Sequence, residues 1–294
     1  MNIKFLSEKR AGNLFSHYNL MDSAERILCG AIDFKYSKHV QPFPEKSNLI
    51  NCKIISHRGE YDNRSIFENT LKAFDRVSDK GVFGIEFDIR WTRDLKPVVL
   101  HDKNTTRLYN KDIDVNEACF SDLRTSAPEI PSLEEVISRY GKRLHLMAEI
   151  KQEIYPEPLQ QAGILKNLFS DLMPGKDYHF ISLSPEIFSI IDFVPKSTFI
   201  PIARLNLRSM SQIALQSNYG GVAGHYLLVT NSLIRKHMDK NQKIGTGFVD
   251  SENCLFRELN RGTEWIFSNN AAKLQTIINS SLKLPVASSG ELQC

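Results

Sequence analysis

The rhythm of apolar and polar positions changes near residue 53. Upstream, "AGNLFSHYNLMDSAERILCGAIDF" predicts one or two helices, and "HVQPFPEKSNLIN" reads as a proline-bearing linker. Downstream, short apolar runs alternate with helical patterns. "KIISH" predicts a strand, and "ENTLKAFDRVSDKG" a helix with Leu71, Phe74 and Val77 at helical spacing and Gly81 as its stop. "VFGIEFDIRW" alternates strictly, as a strand does, and "KPVVLHD" is a further extended run. "PSLEEVISRYG" is a helix opened by Ser132, with Glu135 completing a capping box and Gly141 closing it. "RLHLMAEIK" returns to strand, and the alternation continues through "PLQQAGILKNLFSDL", "HFISLS", "PEIFSIIDFV" and "STFIPIAR" to "TEWIFSN" and "AAKLQTIINS". About eight strand–helix units predict an α/β fold, a parallel sheet closed into a TIM (β/α)8 barrel. An open doubly wound sheet is the rival, but no glycine-rich phosphate turn follows the first strand. The expected organisation is a helical extension and linker over 1–50, a barrel over 51–282, and a loose tail over 283–294.

In such a barrel the C-terminal strand ends point into the active site, so the polar residues there carry the chemistry. His57 and Arg58 close the first strand. Glu86 and Asp88 lie two apart on the second, which puts both carboxylates on one face and Ile85, Phe87 and Ile89 on the other. Arg90 alternates onto the carboxylate face, and could simply neutralise it. His101 and Asp102 close "VVLHD", and Glu149 and Lys151 share a face of "MAEIK". Three converging carboxylates are hard oxygen ligands that suit Mg²⁺ or Ca²⁺ better than zinc, and two nearby histidines keep Mn²⁺ in play. Without a cation the cluster would repel itself. With Arg58 and Lys151 it fits a phosphate ester, and two histidines of near-neutral pKa can exchange protons as acid and base.

These residues also carry a resemblance. "HRG…ENTLKAF…GIEFDIRWTRDLKPVVLHDKNTTR…IPSLEEV…LHLMAEIK" resembles the glycerophosphodiester phosphodiesterase family in motif order and spacing, from about residue 53 to 152. The resemblance implies a phospholipase-C-like TIM barrel with a small insertion after the second strand. It implies His57 and His101 as the acid/base pair, Glu86, Asp88 and Glu149 as ligands of a divalent metal, and Arg58 and Lys151 as phosphate contacts. The "NTTRLYN" region would belong to the insertion that caps the glycerol side. The implied reaction splits a small glycerophosphodiester into an alcohol and glycerol phosphate. Two departures stand out. Gly245 stands where the family commonly has Trp, which would remove an aromatic wall from the substrate side, and Ser268-Asn269 replaces Thr-Asp.

Glu68 and Asn69 are read either as the cap of the first helix or as support for the site. His145, His179, His225 and His237 belong to no cluster and are read as structural or surface residues. A lipid- or lysolipid-directed phospholipase with the same site is the alternative enzyme reading. A barrel kept as a binding module is a third, and the full set of two histidines and three carboxylates argues against it.

Composition narrows the setting. A net charge of +3, with Lys and Arg scattered, gives no footprint for nucleic acid. Five cysteines without a C-x-x-C pair argue against a disulfide framework. No secretory h-region and no apolar run of about 20 residues is present, so a cytoplasmic protein without stable membrane insertion is expected. The sequence carries no signal for oligomeric state.

Overall fold

The structure, a computed structural model, describes residues 34–283. The helices expected over 11–34 therefore lie almost wholly outside the described residues, as does the tail after Lys283. Nine strands form among the described residues: β1 (Lys53–His57), β2 (Gly84–Trp91), β3 (Pro97–Val99), β4 (His145–Ile150), β5 (Tyr178–Ser182), β6 (Phe199–Ala203), β7 (Gly221–His225), β8 (Lys243–Gly247) and β9 (Trp265–Ser268). All but β3 pair in parallel, and β1 closes the ring by pairing with β2 on one side and β9 on the other. Eight parallel strands thus make the expected barrel. β3 stands outside it, paired antiparallel to β2 in a hairpin that turns at Thr92–Lys96. The extended run "KPVVLHD" is therefore only a three-residue strand, and His101 lies beyond its end.

Alternation along the strands builds two apolar layers. Outward residues Ile85, Phe87 and Ile89 of β2 pack into a layer with Phe74 and Val77 of one helix and Val136 and Tyr140 of another. Inward residues Ile55, Met147, Ile181, Ile200, Ala223, Trp265 and Phe267 fill the barrel. Each large side chain buried in this way stabilises the fold by about 1.5–3 kcal/mol.

The helix over Leu71–Ser78 opens at Thr70, whose hydroxyl accepts from the Ala73 N–H. Ser132 and Glu135 make the expected capping box before Leu133–Tyr140. "PEIFSIIDFV" is shorter than its pattern suggests. A 3-10 turn covers only Pro185–Ile190, and Pro195 leads into another at Lys196–Thr198. Between β3 and β4 an insertion carries the short helices Thr106–Tyr109 and Phe120–Ser126. It has its own small core of Val98, Leu100, Leu108, Val115, Leu123, Ala127 and Ile130.

Of the N-terminal extension, residues 34–51 pack on the outside of the barrel. Asn253 bonds the backbone at Ser37 and Gln41, Asn260 bonds Pro42, and the Phe43 ring lies 5.5 Å from that of Phe256. Among the described residues no helix is long and apolar enough to cross a membrane.

Candidate active site

The carboxylates of Glu86, Asp88 and Glu149 meet inside the C-terminal end of the barrel. Period-2 geometry puts all three inward, and the register sets Asp88 directly beside Glu149. All three are buried, and one oxygen from each lies within 4.8 Å of the others. Lys151 Nζ bridges Asp88 Oδ1 (2.5 Å) and Glu149 Oε1 (2.7 Å), while Arg58 Nε sits 3.2 Å from Asp88 Oδ2. Burial raises the Asp88 pKa, but Lys151 and Arg58 outweigh it and hold the carboxyl well below the usual range. Glu86 goes the other way. Burial, then Asp88 and Glu149, push it well above the usual range, and burial also raises Glu149. Glu86 Oε2 is buried without a hydrogen-bond donor. An oxygen-only cluster with one carboxylate left uncompensated fits a hard divalent cation held by these three residues.

The turn after β1 is built for close approach. Arg58 and Gly59 both adopt positive φ, 60° and 85°. A Cβ on Gly59 would lie 2.7 Å from the Cβ and carbonyl carbon of Ala73, so only glycine lets the strand end press against the first helix. Asn69 donates to Asp88 Oδ2 at 2.7 Å, and Glu68 bonds Arg58 at 2.9 Å. Neither caps the helix; that role falls to Thr70.

Each histidine is held by a partner on Nδ1. His57 Nδ1 lies 2.7 Å from Asn269 Oδ1, so its N–H donates and Nε2 faces Glu86 Oε2 at 3.7 Å. His101 Nδ1 donates to Asp102 Oδ1 at 2.7 Å, and the His101 carbonyl accepts from Arg90 at 2.8 and 2.5 Å. Burial lowers the His57 pKa to about 3, helped by Arg58. Burial, then Lys151 and Arg58, lower that of His101 to about 4. The near-neutral values expected from the sequence are thus displaced, because both rings are largely buried beside cations.

A family model described as the glycerophosphoryl diester phosphodiesterase family matches residues 57–174, the stretch that supplies nearly all of this constellation. Over that stretch the chain is similar to the family. A glycerophosphodiester phosphodiesterase of Caldanaerobacter subterraneus subsp. tengcongensis is 26% identical over 245 residues, covering 77% of this chain and 96% of that one. A Bacillus altitudinis protein of the same name is 34% identical over 119 residues, 36% of this chain and 48% of its own. Among solved structures, the Thermotoga maritima glycerophosphodiester phosphodiesterase superposes with a TM-score of 0.65 at 19% identity, covering 77% and 98% of the two chains. An Oleispira antarctica phosphodiesterase, solved with the product sn-glycerol-3-phosphate, does so with a TM-score of 0.65 at 19% identity, covering 77% and 96%. At these identities the structures establish a shared barrel.

Several neighbours of the site could not be read from residue pattern. Asn269 comes from the far end of the chain and registered only as a departure from the family's Asp. Arg90 shares the carboxylate face but reaches Glu153 at 2.8 Å and the His101 carbonyl instead. Gly245 is corrected. A Cβ there would lie 2.7 Å from Ala223 Cβ and from Phe267 Cε2, so the position belongs to the filled interior and no aromatic wall is missing. An aromatic ring does lie beside the site, that of Phe248, 4.7 Å from the ring of His57.

Proposed function

We propose that this protein is a glycerophosphoryl diester phosphodiesterase, hydrolysing glycerophosphodiesters to an alcohol and glycerol phosphate with a divalent metal and the pair His57 and His101. The observation that carries the reading is the convergence of three buried carboxylates with two cations and two oriented imidazoles at one barrel mouth. The product in the Oleispira relative supports a small glycerol-containing substrate. Glu86, Asp88 and Glu149 would hold Mg²⁺, Ca²⁺ or Mn²⁺, whose charge would polarise a phosphoryl oxygen. Arg58 and Lys151 offer fixed positive charge to the same anion. The carboxylate of Asp102 behind His101 favours its imidazolium, which suits His101 to take the proton of the nucleophile. That leaves His57, oriented by the neutral carbonyl of Asn269, to serve the departing alcohol once a bound phosphate anion favours its protonation.

A second reading, in which the substrate is a lysophospholipid, has one observation in its favour. Ile154 and Leu205, on the connections that follow β4 and β6, are exposed, and so is Leu159. Among the described residues Cys52, Cys119 and Cys254 are joined in no disulfide, which is consistent with a cytoplasmic setting.

Turnover of glycerophosphocholine, glycerophosphoethanolamine and lysophosphatidylcholine, each with and without EDTA, tests both readings. Metal-dependent hydrolysis of the first two supports the main proposal. Hydrolysis of lysophosphatidylcholine alone moves the substrate to the second reading, and no hydrolysis of any removes both.

A further inference from the structure

The insertion between β3 and β4 sends one charged side chain back toward the site. Arg107, on the helix Thr106–Tyr109, places Nε 2.5 Å from Asp102 Oδ2 and Nη2 2.7 Å from Glu68 Oε1, with Nη1 at 3.2 Å from Glu68 Oε2. Asp102 holds His101 through its other oxygen, and Glu68 bonds Arg58 through Oε1. The result is an unbroken ladder of alternating charge, His101–Asp102–Arg107–Glu68–Arg58–Asp88. It joins a histidine on the hairpin excursion to the first strand end and to the carboxylate cluster.

The ladder is anchored at both ends of Arg107. Glu68 is 2% exposed, and its carboxylate takes a further hydrogen bond from Asn63 Nδ2 at 2.7 Å. Leu108, the neighbour of Arg107, is buried in the core of the insertion, and the Tyr109 ring lies 5.0 Å from that of Phe67, next to Glu68. Asp102 by contrast has no anchor of comparable burial. It sits on a loop after a three-residue strand, with 23% of its side chain exposed, and the rigid fork of Arg107 fixes its second oxygen.

We propose that Arg107 is a positioning residue for the reaction, holding Asp102 so that His101 keeps one tautomer and one ring orientation. The inference rests on the phosphodiesterase reading of the site. The insertion thereby acts on the chemistry through Asp102, in addition to any contact with substrate. A positioning partner of this kind acts on turnover more than on substrate affinity.

The test uses the full chain with glycerophosphocholine and metal. Arg107→Ala should lower kcat by about 10- to 100-fold while KM changes by less than about 3-fold. In an Asp102→Asn background, Arg107→Ala should cost almost nothing further, because the group through which it acts is already impaired. Arg124→Ala, which breaks an ion pair with Glu135 in the same insertion, supplies the control for loss of stability alone. If Arg107→Ala does not fold, Arg107→Lys and Arg107→Gln take its place, Lys keeping more of kcat than Gln. Wild-type kcat in the Arg107 variants, a loss that follows the folded fraction as in Arg124→Ala, or additive losses with Asp102→Asn would each overturn the inference. A wild-type protein that turns over no glycerophosphodiester overturns the underlying reading instead.

Discussion

Two pairs of histidines occupy the two ends of this barrel, and their pKa values do not tell them apart. At the C-terminal mouth His57 and His101 are lowered by burial to about 3 and about 4. At the opposite end His145 and His179 are lowered by burial to about 4 and about 3. The partners make the difference. His145 Nε2 and His179 Nδ1 bond each other at 2.9 Å, His145 Nδ1 donates to the Lys176 carbonyl, and the rings pack against Phe83 and Trp265. The lower pair bonds within itself and to a backbone carbonyl, with no carboxylate cluster beside it. The upper rings use only Nδ1 on protein partners, and the carboxylate cluster lies beside them. A depressed histidine marks a site only when other reactive groups converge beside it. Along β4 the same inward column runs from His145 through Met147 to Glu149, so one strand crosses from sealed core to reactive mouth in five residues.

The largest effect should come from exchanging the ends. His57→Ala or His101→Ala should lower kcat on glycerophosphocholine by about 10²- to 10⁴-fold, as expected for lost proton transfer. His179→Asn should leave kcat within a factor of about 3, since it touches neither the carboxylate cluster nor either upper ring. Steady-state kinetics of the three variants decides it. A strongly impaired His179→Asn that remains folded would erase the distinction between the two pairs.

The next effect concerns the cation. If Glu86, Asp88 and Glu149 form the cradle, Mg²⁺ or Ca²⁺ at about 100 times its Kd should stabilise the fold by about 2.7 kcal/mol. Thermal unfolding with added metal reads this without any substrate. Glu86→Gln should lose most of the shift, whereas His179→Asn should keep it. An equal metal response in Glu86→Gln would remove that residue from the ligand set.

Asn269 sharpens the contrast further, because it gives His57 a carbonyl where a carboxylate could stand. Asn269→Ala should free the ring and lower kcat by about 10- to 100-fold, while Asn269→Asp should recover most of that loss by restoring an acceptor at Nδ1. Equal losses in both would mean that the amide does more than orient the ring.

These cases show what could be read in the chain and what could not. Glu86, Asp88, Glu149 and their cations were legible because strand alternation converts spacing of two into a shared face. The barrel was legible from the same alternation repeated around the ring. The partners of the histidines were not, because they depend on tertiary closure. Asn269 meets His57 across 212 residues, through the pairing of β1 with β9. Arg107 reaches Glu68 only because an insertion folds back on its own core. The pairing of His145 with His179 follows from strand register, which brings β4 beside β5 and sets Met147 opposite His179.

The smallest effect belongs to the sealed pair, and its sign follows from linkage. An unfolded histidine titrates near 6.5, and these two titrate near 4 and near 3 when folded. Below pH 6.5 the unfolded chain therefore binds protons that the folded one refuses. The stability that the neutral pair contributes is complete above that pH and is lost as pH falls toward 4 and then 3. The slope is about 1.4 kcal/mol per pH unit for each ring within its window. The groups facing the pair are Lys53 and Lys243, which disfavour its protonation, and Asp177, which favours that of His145. Urea unfolding of wild type and His179→Asn at pH 7 and pH 5 isolates the contribution, since the upper histidines titrate alike in both. The variant should be less stable at pH 7 and should lose less stability on acidification. Parallel losses in the two proteins would mean that the fold does not hold His179 neutral against acidification.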